Sequence, residues 1–246
     1  MISCNVTYYN EPHLLKWWYD TIIRLNEEGY NIYFNLADDG SQRQPATAFF
    51  EKHPPHPSMG LFRVKEDIGF NSHGCRNLLM DQAQTDWNLL SDIDRHYDDD
   101  TLISMYRLDD VKRGEYYSMK FKSDYTLNEY VIHKDDFWFS GGYDEEFVNI
   151  HWGDRMFFET SLDPVCKRVL REDWWCTPTR RARDVSEGPV TTTQYPDDHT
   201  LINPNTGIWS THQGRQQLKD YVRNRNATIE GRLSKPVINF EWEQIF

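Results

Sequence analysis

Residues 86–94 read DWNLLSDID. The apolar run is short and bounded by polar residues, and it reads as a strand of a sheet. It stops on two aspartates, Asp92 and Asp94, and three more acids follow at 98–100. On extended backbone, positions i and i+2 project to the same side. Asp92 and Asp94 therefore offer two carboxylates to one partner. Hard cations such as Mg2+ and Mn2+ bind through one or two carboxylates plus the oxygens of a phosphate substrate. A solvated acidic turn would carry the same letters. The acids at 98–100 read as a helix start, where negative charge complements the dipole.

Upstream, residues 1–9 (MISCNVTYY) alternate and favour a strand. Residues 10–29 follow as a helix, with Asn10 as N-cap, Pro12 in the first turn and Gly29 as the stop. Residues 30–37 (YNIYFNLA) form a second strand that runs into DDGS. A polar helix-like stretch is broken by the prolines of 52–60. Residues 61–66 (LFRVKE) make a third strand, and 69–85 (GFNSHGCRNLLMDQAQT) a loop leading into a helix. Alternation of strand and helix up to residue 94 predicts an α/β fold with a mostly parallel sheet. Ligands of such sheets sit at the carboxyl ends of the strands. Asp38 and Asp39 end the second strand as Asp92 and Asp94 end the fourth, so the four acids are expected along one edge.

Downstream the pattern changes. Residues 115–123 and 127–139 read as an antiparallel strand pair, GGYDEEF punctuates, and 152–165 starts a helix. From 177 the chain is polar and loop-rich, with a helix expected near 213–225 and a closing strand in 237–246. The 246 residues suit one large α/β domain. With 27 Lys and Arg against 39 Asp and Glu, the net charge of −12 repels nucleic acid and anionic membranes. An anionic ligand needs a local basic pocket or a cation. The 36 aromatic residues (9 Trp, 14 Tyr, 13 Phe) also suit a groove for flat or sugar-like ligands. Cys4, Cys75, Cys166 and Cys176 lack metal-binding spacing and read as reduced thiols. No apolar run approaches the ~18 residues of a membrane span, and the start runs straight into a strand. A cytoplasmic protein, of bacterial or viral origin, is expected.

No P-loop, GxGxxG after the first strand, GxSxG or HExxH occurs. Five segments in order instead resemble the GT-A fold nucleotide-sugar glycosyltransferases of the family-2-like kind. They are VTYYNEP, LADDGS, GFNSHGCRN, LLSDID as the DxD motif, and FSGGYDEEF followed by HWGDRMF. The last block resembles the GGFDE…W…ED block shared with galactosyltransferase-like enzymes. The resemblance covers roughly residues 1–162 and implies a Rossmann-like, mostly parallel sheet with a small antiparallel element. It divides the domain into a nucleotide-binding half (1–97) and an acceptor-binding half (98–246).

Carried over by position, it implies that Thr7, Tyr8, Asp38 and Asp39 line the nucleotide pocket. Arg76 and Asn77, expected near a helix start, would meet the diphosphate. Asp94 would be the principal ligand of Mn2+ or Mg2+, with Asp92 on the metal or the ribose. Asp154 would be the base of an inverting transfer, with Glu145 and Asp144 as alternatives, because Gly153-Asp154-Arg155 stands where the family shows Glu-Asp. Gly141 and Gly142 would shape the acceptor loop, and Trp152 would stack on a sugar. His212 or His199 would be a late metal ligand. The donor would be a nucleotide-diphosphate sugar, UDP- or GDP-linked first of all. The acceptor stays open among glycan, protein, lipid and modified nucleobase. A non-catalytic sugar-binding homologue is the alternative.

Overall fold

The structure, a computed structural model, describes residues 1–121, 128–148, 153–179, 202–203, 207–208 and 238–246. Strand β1 (Ile2–Tyr8) leads into helix α1 (Pro12–Glu27), then β2 (Ile32–Asp38), α2 (Ala46–Phe50), β3 (Met59–Val64), α3 (Ser72–Gln82) and β4 (Trp87–Asp92). Next come β5 (Arg95–Tyr97), α4 (Asp99–Arg107), β6 (Glu115–Phe121), β7 (Tyr130–His133), α5 (Lys134–Phe139), α6 (Gly153–Phe157) and β8 (Lys167–Pro178). β9 (Ile202–Asn203) and β10 (Gly207–Ile208) form a separate antiparallel pair, and β11 is Trp242–Gln244.

Among the described residues, nine strands form one sheet in the order β11-β3-β2-β1-β4-β7-β6-β8-β5. β3, β2, β1 and β4 are parallel, whereas β7 runs antiparallel to both β4 and β6. The chain builds outward from β1 to β3, then crosses back to place β4 on the other side of β1. The switch lies between β1 and β4, where open α/β sheets bind their ligands.

Period-2 alternation on β1 explains the two layers. Ile2, Cys4, Val6 and Tyr8 join one core cluster with Leu14, Leu15, Trp18, Ile22 and Leu25 of α1. The alternate β1 residues face α3, whose Cys75, Leu78 and Leu79 pack on Ala37, Phe62 and Val64. On that face a buried amide ladder crosses three strands: Asn35 donates to Asn5 (2.9 Å), and Asn5 donates to Asn88 (3.0 Å).

Several local expectations change. Asn10 is not the N-cap of α1: its φ is +54°, and its Oδ1 accepts from the N–H groups of Arg43 and Gln44. Glu11 takes the cap position. Residues 134–139, expected as strand, are α5, because Asp135 and Asp136 open a first turn whose Asp135 N–H is capped by His133. The long β8 was not expected, since its sequence KRVLREDWWCTP has only Trp174 and Cys176 fully buried and shows weak alternation. The acids at 98–100 do start α4, with Asp98 accepting from Thr101 N–H. The helix expected at 213–225 lies outside the described residues. No helix among the described residues is long and apolar enough to cross a membrane.

Candidate active site

The switch between β1 and β4 brings Thr7 opposite Asp92, and the Thr7 hydroxyl donates to Asp92 Oδ1 at 3.2 Å. Directly behind lies Arg76, in the second turn of α3 and fully buried. Its Nη2 donates to Asp92 Oδ1 (2.8 Å) and its Nη1 to Asp154 Oδ1 (2.5 Å) and to the Tyr143 hydroxyl (2.9 Å). One guanidinium thus bridges the first aspartate of the DID motif and the acid at the start of α6. Arg76 is therefore an internal brace. The expected contact with a diphosphate would need a guanidinium at the surface, and none of Arg76 reaches it.

The surroundings of Asp154 favour its ionised form. Burial alone would raise its carboxyl, but the Arg76 guanidinium, with His73 and Tyr143, holds it well below the usual carboxylate range. Asp94 lies in the turn after β4, 3.1 Å from Arg95 Nη1, and Arg95 Nε donates to the buried Glu129 at 2.7 Å. Burial, opposed by Arg95, pushes the Glu129 carboxyl up from its ordinary range.

Asp92 and Asp94 keep 18% and 15% of their side chains exposed, so both reach the surface of the edge. No cluster of three His, Cys, Asp or Glu that could cage a metal exists among the described residues. Two partly exposed carboxylates fit a hard cation whose remaining positions are filled by a ligand's oxygens and water. His212, His199 and Trp152 lie outside the described residues.

At the end of β2 the two aspartates divide. Asp38 is fully buried and accepts from Ser41 N–H (2.9 Å) and Ala46 N–H (2.8 Å), so it builds the turn and starts α2. Asp39 Oδ2 accepts from Asn71 N–H (2.8 Å), while its Oδ1 is buried and has no partner among the described residues. Burial pushes the Asp39 carboxyl up to about 7, against hydrogen bonds from Asn71 and Cys75. Both amide atoms of Asn71 are likewise buried without a partner among those residues. Buried polar groups left unpaired are costly. Tyr8 turns into the core, its hydroxyl donating to the Gln44 carbonyl at 2.5 Å.

Asn77 and Glu145 serve the loop that follows α5. Asn77 accepts from Tyr143 N–H (2.8 Å) and donates to the Tyr143 carbonyl and to Glu145. Glu145 also accepts from Ile238 N–H (2.5 Å) and Asn239 N–H (3.0 Å). With all these donors on its carboxylate, Glu145 anchors the returning C-terminal segment, a role that conflicts with the expected one as base. Gly141 (φ +95°) and Gly142 (φ +66°) sit in the left-handed region at the loop's start. Asn71, His73 and Tyr143 were not expected at the site from the sequence. Their signal lay in the letters of GFNSHG and GGYDE, but nothing in either segment announces burial.

No family model and no curated protein matches the sequence. Solved structures do. The mannosyltransferase PcManGT from Pyrobaculum calidifontis, in complex with GDP-Man and Mn2+, aligns with a TM-score of 0.56 at 15% identity, over 74% of this chain and 58% of that one. S. aureus TarS aligns with a TM-score of 0.57 at 14% identity, over 76% of this chain and 38% of that one. TarS 1-349 in complex with UDP-GlcNAc gives 0.55 at 13% identity, over 73% and 59%. The chain spans less than two thirds of the length of these neighbours. From the strand order, the switch between β1 and β4 and these likenesses, the architecture is that of the GT-A type glycosyltransferases.

Proposed function

We propose that this chain is a glycosyltransferase that moves a sugar from a nucleotide-diphosphate donor to an acceptor hydroxyl, with inversion at the anomeric carbon. The observation that carries the reading is the Asp92–Arg76–Asp154 bridge at the switch point. It holds a metal-ready carboxylate and an ionised base candidate in fixed relation at the edge where such sheets bind ligands.

In this reading the base or ribose sits over the turn that follows β2, beside Asp39. GDP- and UDP-sugars are the donors to try first, since the neighbours' structures hold GDP-Man and UDP-GlcNAc. Asp94 and Asp92 would hold Mn2+ or Mg2+. Such a cation, when bound, supplies positive charge against the departing diphosphate. Asp154 takes the proton of the acceptor hydroxyl as that oxygen bonds the anomeric carbon, and the carbon–phosphate-oxygen bond breaks. Gly141 and Gly142 line the acceptor side, and Thr7 fixes Asp92.

The test is nucleotide release from a panel of UDP-, GDP-, CDP- and dTDP-sugars, with Mn2+ and with chelator, for wild type and Asp94→Ala. Metal-dependent release from one donor, lost in Asp94→Ala, is the expected result. A donor that binds but is never turned over, with a range of acceptors, would leave the chain as a non-catalytic nucleotide-sugar-binding homologue. No donor bound at all would sink both readings.

A further inference from the structure

His73 takes no part in the chemistry described so far, yet its position is unusual. It is the second residue of α3 and only 2% exposed, and neither ring nitrogen has a hydrogen-bond partner among the described residues. Its ring packs against Phe70, Tyr143 and Phe147. Its Nε2 points at Asp154 Oδ2, 3.7 Å away. Space for the ring depends on Gly153, where a Cβ would fall on the imidazole. The Gly153-Asp154 step therefore does two things: it admits the imidazole and presents a carboxylate to it.

We propose that His73 is a positioning residue for Asp154: its Nε2–H closes on Oδ2 while Arg76 holds Oδ1, so that the carboxylate keeps one orientation toward the acceptor. This rests on the transferase reading. Hydrogen bonds of this kind are often long without substrate and tighten in the complex. His73 cannot meet the acceptor itself, because it is sealed behind Asp154, whose side chain keeps 19% of its surface. In the transfer His73 keeps its Nε2 proton throughout. The acceptor's proton goes to Asp154, the acceptor oxygen bonds the anomeric carbon, and the nucleoside diphosphate leaves with the electron pair.

Two measurements test this. The first needs no activity: 15N spectra of histidine-labelled protein, wild type against Asp154→Asn. A ring protonated at Nε2, whose Nε2–H signal shifts in Asp154→Asn, is expected. A ring with no proton on Nε2, or one indifferent to Asp154→Asn, overturns the proposal, whether or not the chain is a transferase.

The second uses the donor found in the panel. His73→Ala should lower kcat about 10- to 100-fold, a fraction of the usual general-base contribution, with donor KM unchanged. His73→Gln, which retains an N–H near Nε2, should restore most of it. In the Asp154→Asn background, His73→Ala should have no further effect on the residual rate. Equal losses in His73→Ala and His73→Gln, or an undiminished loss without Asp154, would show that the ring only fills space. Should His73→Ala fail to fold, His73→Gln alone still decides, through the same cycle with Asp154→Asn. A wild type that binds or turns over no donor defeats the transferase reading. The 15N spectra then decide the His73–Asp154 contact independently.

Discussion

At the scale of single residues, the site is a chain of buried and half-buried charges held by hydrogen bonds and ion pairs. Asp154 is the clearest case: Arg76 keeps it ionised and fixed, at the expense of proton affinity. A weak but well-oriented base suffices where the attacking oxygen becomes acidic as its new bond forms. Asp154→Asn preserves the shape and the Arg76 contact but removes the proposed proton acceptor, so on the transferase reading kcat should fall by about 10²- to 10⁴-fold with donor binding retained. Steady-state kinetics beside a donor-binding titration check this. Arg76→Met is a harsher change. It leaves Asp92 and Asp154 without their shared cation, and breaking a buried pair in this way costs about 3–5 kcal/mol. Urea denaturation should show it.

Asp39 gives a pH signature. Its carboxyl rises on folding from 3.8 to about 7, so between those values the folded state binds more protons than the unfolded chain. Stability then declines as pH rises from about 4 to about 7. Asp39→Asn can still accept from Asn71 N–H and no longer titrates. Melting temperatures measured from pH 5 to 7.5 should fall more steeply in wild type than in Asp39→Asn. Equal slopes would mean that Asp39 is already charged in the folded protein.

At the scale of elements, the loop after α5 and the C-terminal return are built as one unit. Asn77 clips both backbone groups of Tyr143, and Glu145 receives Asn77, Ile238 and Asn239 together. Ile238 itself has φ +58°, a left-handed conformation that such anchoring must hold. Gly142 carries the steric demand of the loop. A Cβ there would sit 2.9 Å from Asn77 Oδ1 and 3.0 Å from the Trp138 ring, in a backbone region unfavourable to side chains. Gly142→Ala should cost about 1–3 kcal/mol and loosen Tyr143 from Arg76, lowering both the melting temperature and the transfer rate. The amide ladder across β2, β1 and β4 is a second device. It places polar partners where a one-residue slip would leave them buried and unpaired.

At the scale of the whole molecule, a chain of charge −12 places the guanidinium groups of Arg76 and Arg95 where its acids converge. Arg76 and Arg95 each hold one aspartate of the DID motif, so the edge does not simply accumulate negative charge. Salt should therefore matter little to folding of the site, yet chelation should matter to donor binding. Donor affinity measured with and without EDTA should drop at least tenfold on chelation if the cation offsets the diphosphate charge.

The strand-helix alternation, the strands ending at residues 38 and 92, and the convergence of acids on one edge were legible in the sequence. Burial periodicity and turn residues are local properties of neighbouring letters. Glycine at 141 and 142 was legible for the same reason. The partner of each charge was not. Arg76 reads as a helix residue with a free guanidinium until α3 is laid across the sheet edge, where it meets Asp92 from 16 positions away and Asp154 from 78. Asp38 and Asp39 are adjacent letters, but only the turn geometry turns one inward to Ser41 and Ala46 and leaves an oxygen of the other without a partner among the described residues. Local patterning by itself determined the elements and the edge at which they end. The tertiary structure alone decided which charges meet, because that depends on how helices cross a twisted sheet, a relation between segments far apart in the chain.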